Sequence, residues 1–177
     1  MNGMWRYTPV SAFLVCMLTV ACQRPDPIRL QPTFEEPAAL VSMIRISDPS
    51  TSSQLVRGFY PLESNSWRWA GPRFTVALGV PEAARQNGAD LVLAFFLPDA
   101  SVRKMKQITI AAKVEDFALP PETYSTMGDH EYRRSVPAAA LTLDPAGVDF
   151  TVDKFVTSAE DSRELSVVVT RVGFEPK

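Results

Sequence analysis

Apolar and polar positions alternate with a period of two along most of this chain. Phe74, Val76, Leu78 and Val80 are separated by Thr75, Ala77 and Gly79. Ile108, Ile110, Ala112 and Val114 repeat the pattern, as do Val148, Phe150 and Val152. Successive side chains of a strand point to opposite faces, so each run predicts a strand with one face in a core. Leu91, Leu93, Phe95 and Leu97 alternate with Val92, Ala94 and Phe96, which predicts a strand buried on both faces. The last run puts Leu165, Val167 and Val169 on one face and Val168, Thr170 and Val172 on the other.

Turn chemistry separates these runs. Gln86-Asn87-Gly88, Leu97-Pro98-Asp99, Pro120-Pro121, Met127-Gly128-Asp129 and Asp144-Pro145-Ala146-Gly147 all carry residues that bend or punctuate a chain. Further strands are expected near Leu40 to Ile46, Gln54 to Tyr60 and Val136 to Leu143. The total of about eight predicts an all-β domain over residues 38–177, a two-sheet antiparallel sandwich of jelly-roll type. A short helix from Pro81 to Gln86 is the best helical candidate, because proline is tolerated at a first helical position.

The amino-terminal segment breaks the alternation. Arg6 precedes an apolar stretch from Val10 to Ala21. That stretch is shorter than the roughly 20 apolar residues of a bilayer span and has the size of a signal-peptide core. It ends Leu18-Thr19-Val20-Ala21-Cys22, which resembles the lipobox of bacterial lipoproteins, with Thr19 where that family prefers Leu. The resemblance implies cleavage of residues 1–21, acylation of Cys22 and a membrane as partner. Stable anchoring takes more than one acyl chain, as mature lipoproteins carry. Gln23, rather than Asp, follows the cysteine and implies the outer membrane rather than the inner. Residues 22–37 hold prolines at 25, 27, 32 and 37, which favour an extended tether.

Composition narrows the partners. The chain has 177 residues, 46% hydrophobic and 21% charged, with a formal net charge of -2. Nucleic-acid binding needs clustered Lys and Arg, and no such run occurs, so nucleic acid is not expected. Both cysteines, Cys16 and Cys22, lie near the start, which leaves the remaining sequence no disulfide and no thiolate metal cluster. No metal and no cofactor is expected: phosphate-loop and dinucleotide glycine motifs are missing.

Two segments stand out. The first is Gly58-Phe59-Tyr60-Pro61-Leu62-Glu63, followed by Trp67-Arg68-Trp69. The second is Asp161-Ser162-Arg163-Glu164-Leu165, ahead of the last strand. Together they resemble a β-sandwich module of bacterial polysaccharide-biosynthesis and glycosyltransferase proteins. Its pattern is G-[FWY]-Y-x-x-E followed by [RW]-W, then D-x-R-x-L-[GS]. The resemblance covers roughly residues 55–177, implies a jelly roll shaped like a carbohydrate-binding module, and carries no transferase activity with it. Tyr60, Glu63, Trp67, Arg68 and Trp69 are the candidate ligand-binding residues. Aromatic faces cover the apolar side of a sugar ring, while Arg and Glu hydrogen-bond its hydroxyls. The competing reading makes Trp67-Arg68-Trp69 half a strand, with both tryptophans in the core and Arg68 outside. Glu63 with Arg68 or Arg73, and Asp161 with Arg163, would then be structural ion pairs or turn caps.

His130 is the single histidine, in Met127-Gly128-Asp129-His130-Glu131, which reads as a loop. No G-x-S-x-G elbow accompanies it. The sequence therefore points to a non-enzymatic, membrane-tethered sandwich of the cell envelope that binds carbohydrate or a polysaccharide-assembly partner. The alternatives are a structural or protein-interaction lipoprotein without a small ligand, and a hydrolase centred on His130.

Overall fold

The computed structural model describes residues 40–177. The expected signal peptide (residues 1–21) and tether (residues 22–37), with Cys22, lie outside the described residues. The strands are β1 (Met43–Arg45), β2 (Leu55–Phe59), β3 (Arg68–Leu78), β4 (Ala89–Leu97), β5 (Ile108–Val114), β6 (Phe117–Tyr124), β7 (Gly128–Val136), β8 (Ala146–Val152) and β9 (Val167–Pro176). Two short helices, α1 (Glu82–Asn87) and α2 (Asp99–Met105), and two 3-10 turns, Pro49–Gln54 and Ala138–Ala140, complete the described chain. The domain is all-β and antiparallel with little helix, as the alternation predicts.

The strands form one continuous ladder in the order β6-β5-β8-β3-β9-β4-β7, with β1 added to β9 and β2 to β3. The sheet curls until its two ends meet, enclosing a single core. At the meeting point β6 carries Pro120 and Pro121, which have no N–H to give a neighbouring strand. Side chains close the seam instead. The Tyr132 hydroxyl and the Arg134 Nε both donate to the Pro120 carbonyl, at 2.9 and 2.8 Å. Arg134 also pairs with Glu122 at 2.7 Å and lies over the Tyr132 ring, 4.7 Å from its centroid.

Inward positions of the sequence runs fill the core. Phe74, Val76, Leu78, Leu91, Leu93, Phe95, Ile110, Val148, Phe150 and Phe174 are all buried. Phe74 stacks on Phe150 at 4.9 Å and meets Phe59 edge-on at 5.3 Å. Each such side chain contributes about 1.5–3 kcal/mol on leaving water. Gly58 is a fixed point of this packing: it sits at φ +79°, and a Cβ there would lie 2.6 Å from the Phe74 Cα.

The structure departs from the alternation in five places. In β9 a register shift opposite Ala94 and Phe95 turns Val172 into the core with Val167 and Val169, whereas the alternation puts it on the other face. Pro120-Pro121 lies inside β6, and Met127-Gly128-Asp129 leads into β7, so the two strands occupy ground that reads as turn and loop. β7 is hard to see because it buries little besides Tyr132 and Val136, while its register with β4 from Ala89↔Val136 to Leu97↔Gly128 supplies the ladder. Residues 136–143 do not form a separate strand: β7 ends at Val136, Pro137 follows, and a 3-10 turn occupies Ala138–Ala140. Pro98-Asp99 starts α2 rather than a plain turn, which fits proline beside a helix start. Finally, β4 is buried on both faces only in part, because Phe96 is 38% exposed.

Candidate functional site

Phe96 belongs to a groove on the outside of the sheet where three large aromatic side chains gather. In β3 the position facing the core is Ala70, which is fully buried. Period two then turns Arg68 inward with Ala70, and Trp67 and Trp69 outward. This reverses the core reading of the Trp-Arg-Trp segment. Both tryptophans are half-buried and line an outer groove of about 350 Å3 with Glu63, Phe96, Val168 and Thr170. Register explains the gathering. Trp69 is opposite Val168, and Val168 is opposite Phe96, so one row crosses β3, β9 and β4. Directly opposed residues share a face.

Arg68 is not a groove residue. Its Nη1 donates to the Tyr60 carbonyl at 3.1 Å, and its Nε is buried without a hydrogen-bond partner. It works as a strut between β3 and the segment that carries Tyr60.

The two sequence segments meet beside the groove. Asp161 grips the Arg163 guanidinium with both oxygens, at 2.7 to 3.0 Å, and caps the Arg163 N–H at 3.0 Å. Arg163 Nη1 then donates to Glu63 Oε1 at 2.9 Å. The guanidinium lies over the Tyr60 ring, 5.3 Å from its centroid, and the Tyr60 hydroxyl accepts the Glu164 N–H at 3.0 Å. Hydrogen bonds from Arg163 hold the Asp161 carboxyl below the usual carboxylate range. Hydrogen bonds to Asp161 and then Glu63 raise the Arg163 pKa in turn, so the cation is permanent. Glu63 thus pairs with Arg163, not with Arg68 or Arg73. The tight hairpin Glu63↔Trp67 sets both residues on the groove. The Glu63 Oε2 has no hydrogen-bond partner among the described residues.

Of the five candidate residues, Glu63, Trp67 and Trp69 share the groove, while Tyr60 lies against Arg163 on the rim of a neighbouring cleft and Arg68 turns inward. Phe96, Val168 and Thr170 were not singled out by sequence. Only their pairing across β4 and β9 brings them in.

A larger cleft, of about 810 Å3, opens where β3 changes partner at Gly71-Pro72, from β9 on one side to β8 on the other. Its rim mixes Arg73, Asp153 and Glu164 with Tyr60 and Phe155. Size favours this cleft, but among the described residues the paired outward tryptophans lie in the smaller groove.

His130 lies in β7 rather than a loop. Its Nε2 is 2.8 Å from the Thr126 carbonyl, and its ring packs on Phe95 and Tyr124 at 5.5 and 5.1 Å. Its contacts include neither a serine hydroxyl nor a carboxylate, the partners of a catalytic triad. Among the described residues no group of three or more His, Cys, Asp or Glu could hold a metal ion. None of the described helices is long and apolar enough to cross a membrane. Compared with protein families, curated proteins and solved structures, the chain gives no match.

Proposed function

We propose that this protein is a lipid-anchored, non-catalytic β-sandwich of the bacterial cell envelope that binds carbohydrate on the Trp67–Trp69 face. The observation that carries the reading is the outward pair of tryptophans. Two indole faces left half in water side by side, with Phe96 joining them, form a contiguous apolar patch of the kind that marks a binding surface. A sugar ring suits them, because its C–H face is apolar and its rim is hydroxylated. Trp67, Trp69 and Phe96 offer flat surfaces for the first, and Glu63 Oε2 offers an acceptor for the second. The Asp161–Arg163–Glu63 chain holds that acceptor in place before the ligand arrives, which lowers the ordering cost of binding.

The anchor rests on the lipobox-like Ala21-Cys22 and the proline-rich stretch after it. Such a tether would hold the groove clear of the bilayer while keeping it near envelope glycans.

A glycan array probed with the full chain tests the binding half, and hits lost in a Trp67→Ala/Trp69→Ala variant are expected. An array without hits, together with recovery of a defined envelope protein by cross-linking at Trp69, would replace carbohydrate with a protein partner. For the anchor, mass spectrometry of the native protein is expected to show acyl chains on Cys22, and Cys22→Ser is expected to release the protein from membranes. An unmodified Cys22 contradicts that half.

A further inference from the structure

We infer that the groove selects uncharged or amino-substituted oligosaccharides of at least two rings and rejects acidic ones; this rests on the carbohydrate reading above. The aromatic row continues past Phe96. In β7 the residue directly opposite Phe96 is Asp129, which is exposed and has no ion-pair partner among the described residues. Direct opposition places it on the same face as Phe96. The row therefore reads Trp69, Val168, Phe96, Asp129 across four adjacent strands, with Glu63 beside Trp67 at the other end. Strand spacing sets Trp69 and Phe96 about 10 Å apart and Trp69 and Asp129 about 14 Å apart. A single ring cannot span the row from Trp69 to Asp129. A chain of rings laid across the strands can, and it then lies between two carboxylates.

Most arginines near this row are already engaged. Arg163 is held by Asp161 and Glu63. Arg171 pairs with Glu131 at 3.2 Å, and Arg133 with Glu131 and Glu175 at 2.8 and 2.7 Å. Arg68 is turned inward to the Tyr60 carbonyl. Arg45, without an ion-pair partner among the described residues, is opposite Arg171, three positions along β9 from Val168. That is about 10 Å along the strand, roughly one Debye length at moderate salt. Arg73, also without an ion-pair partner among the described residues, is four positions along β3 from Trp69, about 13 Å away. A uronate or phosphorylated sugar on the row would therefore meet Glu63 and Asp129 first, with the unpaired guanidiniums about a Debye length off. Like charges brought together in this way oppose binding, whereas an ammonium group gains from both.

The test is a glycan array that spans neutral, amino-substituted and acidic oligosaccharides of varied linkage, probed with the full chain. Hits are then titrated by calorimetry at low and moderate salt. Hits are expected among neutral and amino sugars, with acidic counterparts of the same linkage at least about tenfold weaker. Monosaccharides are expected to be much weaker than their dimers and trimers. The Glu63→Gln/Asp129→Asn variant is expected to narrow the gap between neutral and acidic ligands and to lose the salt-sensitive part of amino-sugar binding. Acidic sugars that bind as well as neutral ones, or a gap unchanged in that variant, overturn the selectivity while leaving the groove a sugar site. An array with no hits in any class overturns both the selectivity and the carbohydrate reading.

Discussion

Tyr132→Phe removes one oxygen from the seam and leaves the rest of the fold alone. The ring is fully buried and meets Phe150 edge-on at 6.4 Å, so the core volume is unchanged. What is lost is the 2.9 Å hydrogen bond from the hydroxyl to the Pro120 carbonyl. A typical intramolecular hydrogen bond contributes about 0.5–1.5 kcal/mol net. The Pro120 carbonyl keeps its second donor, Arg134 Nε at 2.8 Å, so no acceptor is stranded. The expected cost is therefore about 1 kcal/mol. Tyr132→Ala also empties the ring's volume, and by analogy with other large-to-small core changes it is expected to cost about 3–5 kcal/mol. Urea denaturation followed by circular dichroism measures both, as a lower midpoint at unchanged slope. Hydrogen exchange adds the location. In Tyr132→Phe the amides of β6 are expected to exchange faster, with those of β4 and β9 unchanged, since the opening is local to the seam. A Tyr132→Phe protein as stable as the parent, or one with protection lost evenly across all strands, refutes the side-chain closure.

Other perturbations follow from the same structure. Trp67→Ala and Trp69→Ala are each expected to cost less than about 2 kcal/mol in urea, below the 3–5 kcal/mol of an enclosed tryptophan; a larger loss returns them to the core. Gly58→Ala is expected to destabilise by more than about 2 kcal/mol, from the strained φ and the overlap with β3 at Arg73 and Phe74. Thermal melts of Gly58→Ala check this, and an unchanged melting temperature counts against the packing described. Asp149 is held below its ordinary pKa first by the Thr75 hydroxyl and then by Arg57. Glu175 is held low mainly by its hydrogen bond from Arg133. Both folded pKa values are depressed, so their stabilisation is complete above the unfolded value of about 4 and is lost as pH falls through the folded values. Denaturation midpoints measured from pH 6 downward are expected to drop below pH 4, and less steeply in Asp149→Asn.

The fold was legible where burial sits on one face of a strand. Phe74, Val76 and Leu78 announce β3, and the same parity carried back through Ala70 gives Arg68 inward and Trp67 and Trp69 outward. The signal for the groove was thus present in the sequence. Trp67 and Trp69 were accordingly named as candidates, and the tendency of tryptophan to be buried supplied the competing core reading. β6 and β7 were not legible, because β6 contains two prolines and β7 carries Asp129, Glu131, Arg133 and Arg134 among few apolar residues. Their stability comes from partners far along the chain: β5 for β6 and β4 for β7. The Glu63–Arg163 pair, 100 residues apart in sequence, was invisible for the same reason. Each segment showed its chemistry locally, and only the return of β9 beside β3 brought them together.

Calorimetric titration of one array-identified oligosaccharide against the parent chain and Trp69→Ala tests the central claim most directly. The account predicts saturable binding by the parent and at least about 30-fold weaker binding by the variant, as for an aromatic at the centre of a binding face. Circular dichroism spectra and urea midpoints of the two proteins should be close. Equal affinity in the two proteins would contradict the claim that the outward tryptophans form the site.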